Sequence, residues 1–200
     1  MLSDIELVEQ AQAGNQEAFA ELVRRHQKPL LRLCARLVGS LEIAEDVVQD
    51  SFCKAYRKIN FFEGRSSFKS WLFQIGVNTA KNKLRVLKRE TVDIDSVVTA
   101  TSAIAEKDLV QRDIQKILKK EVDKLPDRQR LAIQLRIYED LSFKEIAAIM
   151  ECPYDTAKAN YRHALMKLKS ALKEDNLLAQ WEEPADEITE LDISLKEIET

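Results

Sequence analysis

Leu141-Ser142-Phe143-Lys144-Glu145-Ile146-Ala147-Ala148-Ile149-Met150-Glu151-Cys152-Pro153-Tyr154-Asp155-Thr156-Ala157-Lys158 is the stretch that decides the fold. Ser142 followed three residues later by Glu145 is a capping box, in which hydroxyl and carboxylate satisfy each other's backbone amides and start a helix. Ile146, Ala147, Ile149 and Met150 supply the apolar face of that helix, small Ala147 permits a close neighbour, and Glu151-Cys152-Pro153 ends it. The next helix turns Ala157, Tyr161, Ala164, Leu168 and Leu172 inward, with Lys158, Ala159, Arg162, His163, Lys167 and Lys169 outward. From Arg128 to Lys173 the pattern is therefore helix, short turn, helix, tight turn, long basic helix. A cationic helix on a compact trihelical unit fits the major groove of duplex DNA, its first turns reaching base edges and its bases the phosphates. Thr156, Lys158, Ala159, Asn160, Arg162, His163 and Lys167 are the candidate duplex contacts. The bland alternative is a solvated charged helix in an ordinary bundle.

Upstream, the same three- and four-residue periodicity recurs. Phe19, Leu22, Val23, His26, Leu30, Leu33, Cys34 and Leu37 form one stripe of a helix from Phe19 to Leu37, in which Pro29 predicts a kink. A shorter helix, Asp4 to Ala13, precedes it across Gly14-Asn15, a residue pair suited to end one helix and start the next. His26 on the apolar stripe reads as a packed histidine. From Leu41 to Ile59, Ala44, Val47, Val48, Ser51, Phe52 and Ala55 face one way, and Glu42, Asp46, Gln49, Asp50 and Cys53 the other. A third helix runs from Phe68 to about Arg89. Residues 90–104 show no period and read as a linker. Helical pattern then resumes with Leu109, Ile114, Ile117, Leu118, Val122 and Leu125 until Pro126.

Every element is helical, so the class is all-α. Two small helical domains, 1–89 and 105–173, are joined by a flexible linker, 90–104, and followed by an acidic tail, 174–200. Only 4 Gly and 4 Pro occur where average usage over this length gives roughly 24, which disfavours strand-and-turn folds. The longest apolar run, Ile146 to Met150, is far short of the ~20 residues of a membrane span. The acidic first residues do not read as a secretory signal, so the cytoplasm is the expected compartment. Cys34, Cys53 and Cys152 have neither pairing nor zinc-ligand spacing, and no metal or cofactor is expected. With two histidines and no phosphate-binding glycine loop, no catalytic constellation is present, and neither enzyme activity nor a small-molecule substrate is expected.

Charge is unevenly placed. Ten acids against Lys196 give residues 174–200 a charge of −9, so the overall −3 leaves +6 on residues 1–173. A basic body suits a polyanion, and the acidic tail is either a solubilising extension or a built-in competitor that folds back on the basic helix. Leu177, Leu178, Trp181, Ile188, Leu191, Ile193, Leu195 and Ile198 give that tail an amphipathic character.

In the first domain, Gln74, Asn78, Lys81, Arg85, Lys88 and Arg89 share about 100° of helix circumference, with Trp71 at the edge. Leu72, Ile75, Gly76, Thr79, Val86 and Leu87 fall opposite and are expected to be buried; Lys83 intrudes there without a reason. Cations that track phosphates beside rings that stack on bases are the means of holding single-stranded DNA, which makes Phe61, Phe62, Trp71, Asn78, Lys81 and Arg85 its candidate contacts. For Trp71, core and base-stacking positions are both open, and one of the Phe61–Phe62 pair packing while the other is exposed is equally compatible. The acidic stripe with Asp46, Gln49 and Asp50 would repel DNA and suits a basic protein partner, or simply solvent.

Three segments in this order resemble the small, two-domain extracytoplasmic-function group of bacterial RNA polymerase sigma factors. They are Ala44-Glu45-Asp46-Val47-Val48-Gln49-Asp50-Ser51-Phe52; Phe68-Lys69-Ser70-Trp71-Leu72-Phe73-Gln74-Ile75 with Asn78; and Leu141-Ser142-Phe143-Lys144-Glu145-Ile146-Ala147 leading into Thr156-Ala157-Lys158. The resemblance spans roughly residues 4–172. It implies that Asp46, Gln49 and Asp50 dock on core RNA polymerase, and that Phe61 to Phe68, Trp71 and Asn78 melt the minus-ten element of promoter DNA. Lys81 and Arg85 would hold nearby phosphates, and the helix from Thr156 to Lys167 would read the minus-thirty-five element. The linker would thread near the polymerase cleft, and an anti-sigma protein is a candidate further partner. Asn160 and His163 stand where the group commonly carries arginine, which leaves the promoter sequence open. The rival is a repressor or activator acting without polymerase; it accounts for the second domain and leaves the aromatic loop and acidic stripe unused.

Overall fold

The computed structural model describes residues 2–90 and 118–174, all of whose regular structure is helical. The chain divides into two compact units, Met1–Ser102 and Ala103–Thr200. The expected linker from residue 91 on, the helical pattern at Leu109, Ile114 and Ile117, and the tail beyond Glu174 lie outside the described residues.

In the first unit, α1 (Asp4–Gln12) starts at a capping box, Ser3 with Glu6. The hydrogen bonds of Glu6 to the Ser3 amide and hydroxyl hold its carboxyl below the ordinary value. Gly14, at φ +94°, turns the chain, and the Asn15 side chain accepts the Glu17 and Ala18 amides, so α2 runs Gln16–Val38, starting three residues before the apolar stripe. Pro29 lies within α2, whose helix continues to Gly39. Ser40 then caps α3 (Leu41–Lys58), a single 3-10 turn covers Ile59–Phe61, and α4 runs Phe68–Glu90. Leu22, Leu30, Leu33, Cys34, Ala44, Ala55, Leu72 and Phe73 are fully buried where α2, α3 and α4 meet. Each of the larger side chains there contributes about 1.5–3 kcal/mol by leaving water.

Gly76 is the contact that lets α4 approach α2. A Cβ there would lie 2.6 Å from Leu30 Cδ1. The buried face of α4 differs from the expected one. Phe68, Leu72, Phe73, Val77, Thr79 and Ala80 are buried, but Val86 is 47% exposed. Burial ends at Ala80, and the described residues from Lys81 on are half-buried or exposed, because the helix there outlasts the core it packs on.

In the second unit, residues 118–123 are helical, and α5 (Asp127–Ile133) continues into a five-residue π turn, Gln134–Tyr138. The Ser142–Glu145 capping box then opens α6 (Phe143–Met150). Glu151, at φ +52°, makes the break, the Cys152 amide donating to Ala147 O, and α7 runs Tyr154–Glu174. Ile133, Leu135, Ile137, Ile146, Ile149, Ala157, Ala164 and Leu168 fill the core, joined by Leu165, which the inward set had omitted. The Arg136 guanidinium ties the turn before α6, donating to Leu141 O at 3.0 Å and lying 5.4 Å from the Phe143 ring centre.

Candidate nucleic-acid and partner interfaces

The loop from Ile59 to Ser67 separates two adjacent phenylalanines. Phe61 is 79% exposed, whereas Phe62 is buried against Phe68 and Trp71, with ring centres 6.1 and 5.1 Å apart. The expectation that Phe62 stacks on a base is therefore corrected: its ring is the wedge under the loop. Trp71 is half-buried, held by Phe62 on one side and Phe68 at 5.9 Å on the other. His26 continues this cluster. It is buried as expected, with its ring 5.4 Å from Phe68 and Nε2 2.6 Å from Asp4 Oδ2. The same carboxylate group of Asp4 also pairs with Arg25, so α1 is pinned to α2 at two adjacent residues.

Gln12, a residue the motifs do not single out, fixes the loop. Its Nε2 donates to Ile59 O at 2.8 Å and to Phe62 O at 3.0 Å, holding both sides of Phe61. No local sequence signal could have found it, because its partners are 47 and 50 residues away. Gly64 turns the loop at φ +70°. Phe61 is thus presented outward from a backbone clamped two residues before it, at Ile59 O, and just after it, at Phe62 O.

Along α4, Lys81 and Arg85 are exposed, with Arg85 Nη2 3.3 Å from Asn82 Oδ1, and Asn78 is half-buried. Lys83, which the helical wheel left unexplained, reaches across to α3 and pairs with Asp46 at 3.3 Å. Asp46, Gln49 and Asp50 are all exposed on one stripe of α3, with Cys53 exposed at its end and Val47, Val48, Ser51 and Phe52 buried behind it. The Ser51 hydroxyl is satisfied by donating to Val47 O, so the buried face of α3 carries no polar cost there. Part of Asp46's charge is therefore already answered within the unit, and Asp50 is the less encumbered acid of the stripe.

On α7, Lys158, Arg162, His163 and Lys167 are exposed, and Thr156 and Ala159 half-exposed, on the side away from the core. Asn160 is half-buried, and its Nδ2 donates to Thr156 O at 2.8 Å, so its amide group is engaged within its own helix turn. The Phe143 ring packs edge-on against Tyr161 and Tyr154, at 5.3 and 6.5 Å, and locks α6 to the start of α7. The first turns of α7 are thereby held on the unit's surface, the placement a helix needs to enter a groove.

No helix among the described residues is long and apolar enough to cross a membrane. Residues 22–90 match the Sigma-70 region 2 family and residues 115–168 the Sigma-70 region 4 family. The chain is 35% identical to the RNA polymerase sigma-H factor of Pseudomonas aeruginosa over 183 residues, which is 85% of this chain and 94% of that one. It is 38% identical to the ECF RNA polymerase sigma-E factor of Escherichia coli K12 over 169 residues, 79% of this chain and 88% of the other. Among solved structures it resembles the sigma factor RpoE from Bartonella quintana, crystallised with the anti-sigma factor NepR. That match has a TM-score of 0.63 and 31% identity, and it covers 78% of this chain and 96% of that one. A region 2 unit followed by a region 4 unit, with relatives matched over most of their length, places the chain in the extracytoplasmic-function family of RNA polymerase sigma factors.

Proposed function

We propose that this sigma factor docks on core RNA polymerase through the exposed Asp46, Gln49 and Asp50 face of α3 and directs it to promoters with two separate DNA contacts. The outward face of α7, with Thr156, Lys158, Ala159, Arg162, His163 and Lys167, reads the upstream element as duplex. Phe61, with Trp71, Asn78, Lys81 and Arg85, captures the melted non-template strand of the downstream element. The observation that carries the reading is the 79% exposed Phe61 ring on a loop whose backbone is pinned beside it. A soluble bundle has no packing reason to clamp an aromatic ring into solvent, whereas a flipped base has a π-face to meet it.

Each partner supports a different term. Docking joins an acidic stripe to a basic surface, which steers association and depends on salt. Cations on α4 and α7 supply phosphate contacts without sequence, and base contacts supply the choice of promoter. Stacking of about 1–3 kcal/mol per base offsets the few kcal/mol of unstacking, so the protein contributes binding energy and the polymerase the chemistry. An anti-sigma protein is the regulatory partner this reading expects, as NepR is for the Bartonella factor.

The test is run-off transcription with bacterial core polymerase and the full chain on a genomic fragment library. Discrete new transcripts are the expected result and supply the promoter sequence. Phe61→Ala is expected to lower their yield about tenfold, the equivalent of ~1.4 kcal/mol of lost stacking, without changing affinity for core polymerase. Asp50→Arg is expected to lose core polymerase binding instead. Tight duplex binding with no transcripts would overturn the reading.

A further inference from the structure

The cationic face of α7 carries an apolar residue at its centre. Met166 is 62% exposed, and helical geometry places it between Arg162 and Ala159, with Lys158 and His163 flanking. Tyr154, at the start of the same helix, is 50% exposed. Duplex phosphates use the cations and have no use for a large thioether among them. A surface that offers both charge and an apolar anchor fits an acidic segment bearing hydrophobic side chains.

Such a segment begins where α7 ends. Residues 175–200 continue directly from Glu174, and with it carry the −9 charge, while Leu177, Leu178 and Trp181 come first in it and Ile188, Leu191 and Ile193 later. Length permits a return along the helix. Met166 lies about 12 Å and Tyr154 about 30 Å back from Glu174 along the axis. Seven residues to Trp181 span up to about 24 Å and fourteen to Ile188 up to about 48 Å. Tethering raises the local concentration of the segment at its own helix to the order of millimolar, enough for a weak contact to be occupied.

We propose that residues 175–200 seat on the outer face of α7, with Trp181 or its neighbours against Met166 and the acids on Lys158, Arg162 and Lys167. The segment acts as an internal mimic of the DNA backbone. This rests on the assignment of that face to duplex DNA. It makes the segment a competitor that polymerase or promoter must displace, and it filters out non-specific duplex, whose binding is mostly phosphate attraction.

Two readouts on the full chain test it. Zero-length carbodiimide cross-linking of monomeric protein, mapped by mass spectrometry, is expected to join Lys158 or Lys167 to Glu182, Glu183, Asp186 or Glu187. In fluorescence anisotropy with a 30-base-pair duplex, a chain carrying Glu182→Gln, Glu183→Gln, Asp186→Asn and Glu187→Gln is expected to bind about tenfold tighter than the unaltered chain. That is the gain from releasing a face open about one tenth of the time. Trp181→Ser is expected to shift affinity in the same direction, and the differences to close at high salt. Cross-links with no duplex binding by any form would leave the seating in place and overturn the assignment of α7 to DNA. Tighter binding by the neutralised chain without cross-links would mean repulsion at a distance and overturn the seating. Cross-links found only between two copies would overturn it in favour of dimers. Unchanged duplex affinity with weakened core polymerase binding would overturn it in favour of a polymerase contact.

Discussion

Asp46 and Lys83 belong to different helices, and their 3.3 Å contact alters the reading of both. Lys83 is not an error in the buried stripe of α4 but a partner for α3, and an exposed pair of this kind stabilises by at most about 1 kcal/mol. Gln12 has the larger structural role. Gln12→Ala removes the donor from two backbone carbonyls and is expected to lower stability by about 1–2 kcal/mol, measured by urea denaturation. It should also quicken amide exchange across residues 59–64 while leaving that of α7 unchanged. The cysteines differ as sharply. Burial pushes the Cys34 thiol up to about 12, while Cys53 is exposed at the end of the acidic stripe. Buried Cys34 stays a protonated thiol out of reach of solvent, so iodoacetamide is expected to label native protein at Cys53 and spare Cys34, as timed mass spectrometry would show. Of the candidate site residues, exposure of Phe61 and burial of Phe62 were open in the sequence, because adjacent residues on a loop have no period to tell inside from outside. Asn160 was a candidate duplex contact, standing where the resembled group commonly carries arginine, yet its amide chooses a backbone carbonyl four residues back.

At the scale of elements, the helices were legible because apolar residues recur at helical spacing and their ends carry caps. Ser142 with Glu145 announced α6, and Asn15 after Gly14 announced α2. What periodicity could not supply was which part of a helix has a partner. The wheel for α4 put Val86 inside, although the core against α2 and α3 ends at Ala80. Nor did it mark Gly76 as the point of closest approach. Gly76→Ala gains up to about 1 kcal/mol of helix propensity but forces a methyl group into the fully buried Leu30, at an overpacking cost of about 1–3 kcal/mol. The net expectation is a loss of about 1 kcal/mol in thermal or urea melting. Leu30→Val in the same chain should recover part of it, since the two sites share one contact.

For the whole molecule, each unit has its own buried core and its own capped helices. Scanning calorimetry is therefore expected to resolve two unfolding transitions. Ser142→Ala, which removes a cap of about 1 kcal/mol, should lower only the one belonging to the second unit, and Gly76→Ala only the other. The sequence by itself determined the all-helical class, the helix-turn-helix and the candidate faces, because helix caps, periodic burial and charge stripes are local patterns read within a few turns. Tertiary structure alone decided that Phe62 is a wedge and Phe61 a presented ring, that Lys83 answers Asp46, and that Gln12 holds the loop. Those outcomes depend on which residues meet across tens of positions of chain, and close packing, unlike periodicity, is settled only once the helices are side by side.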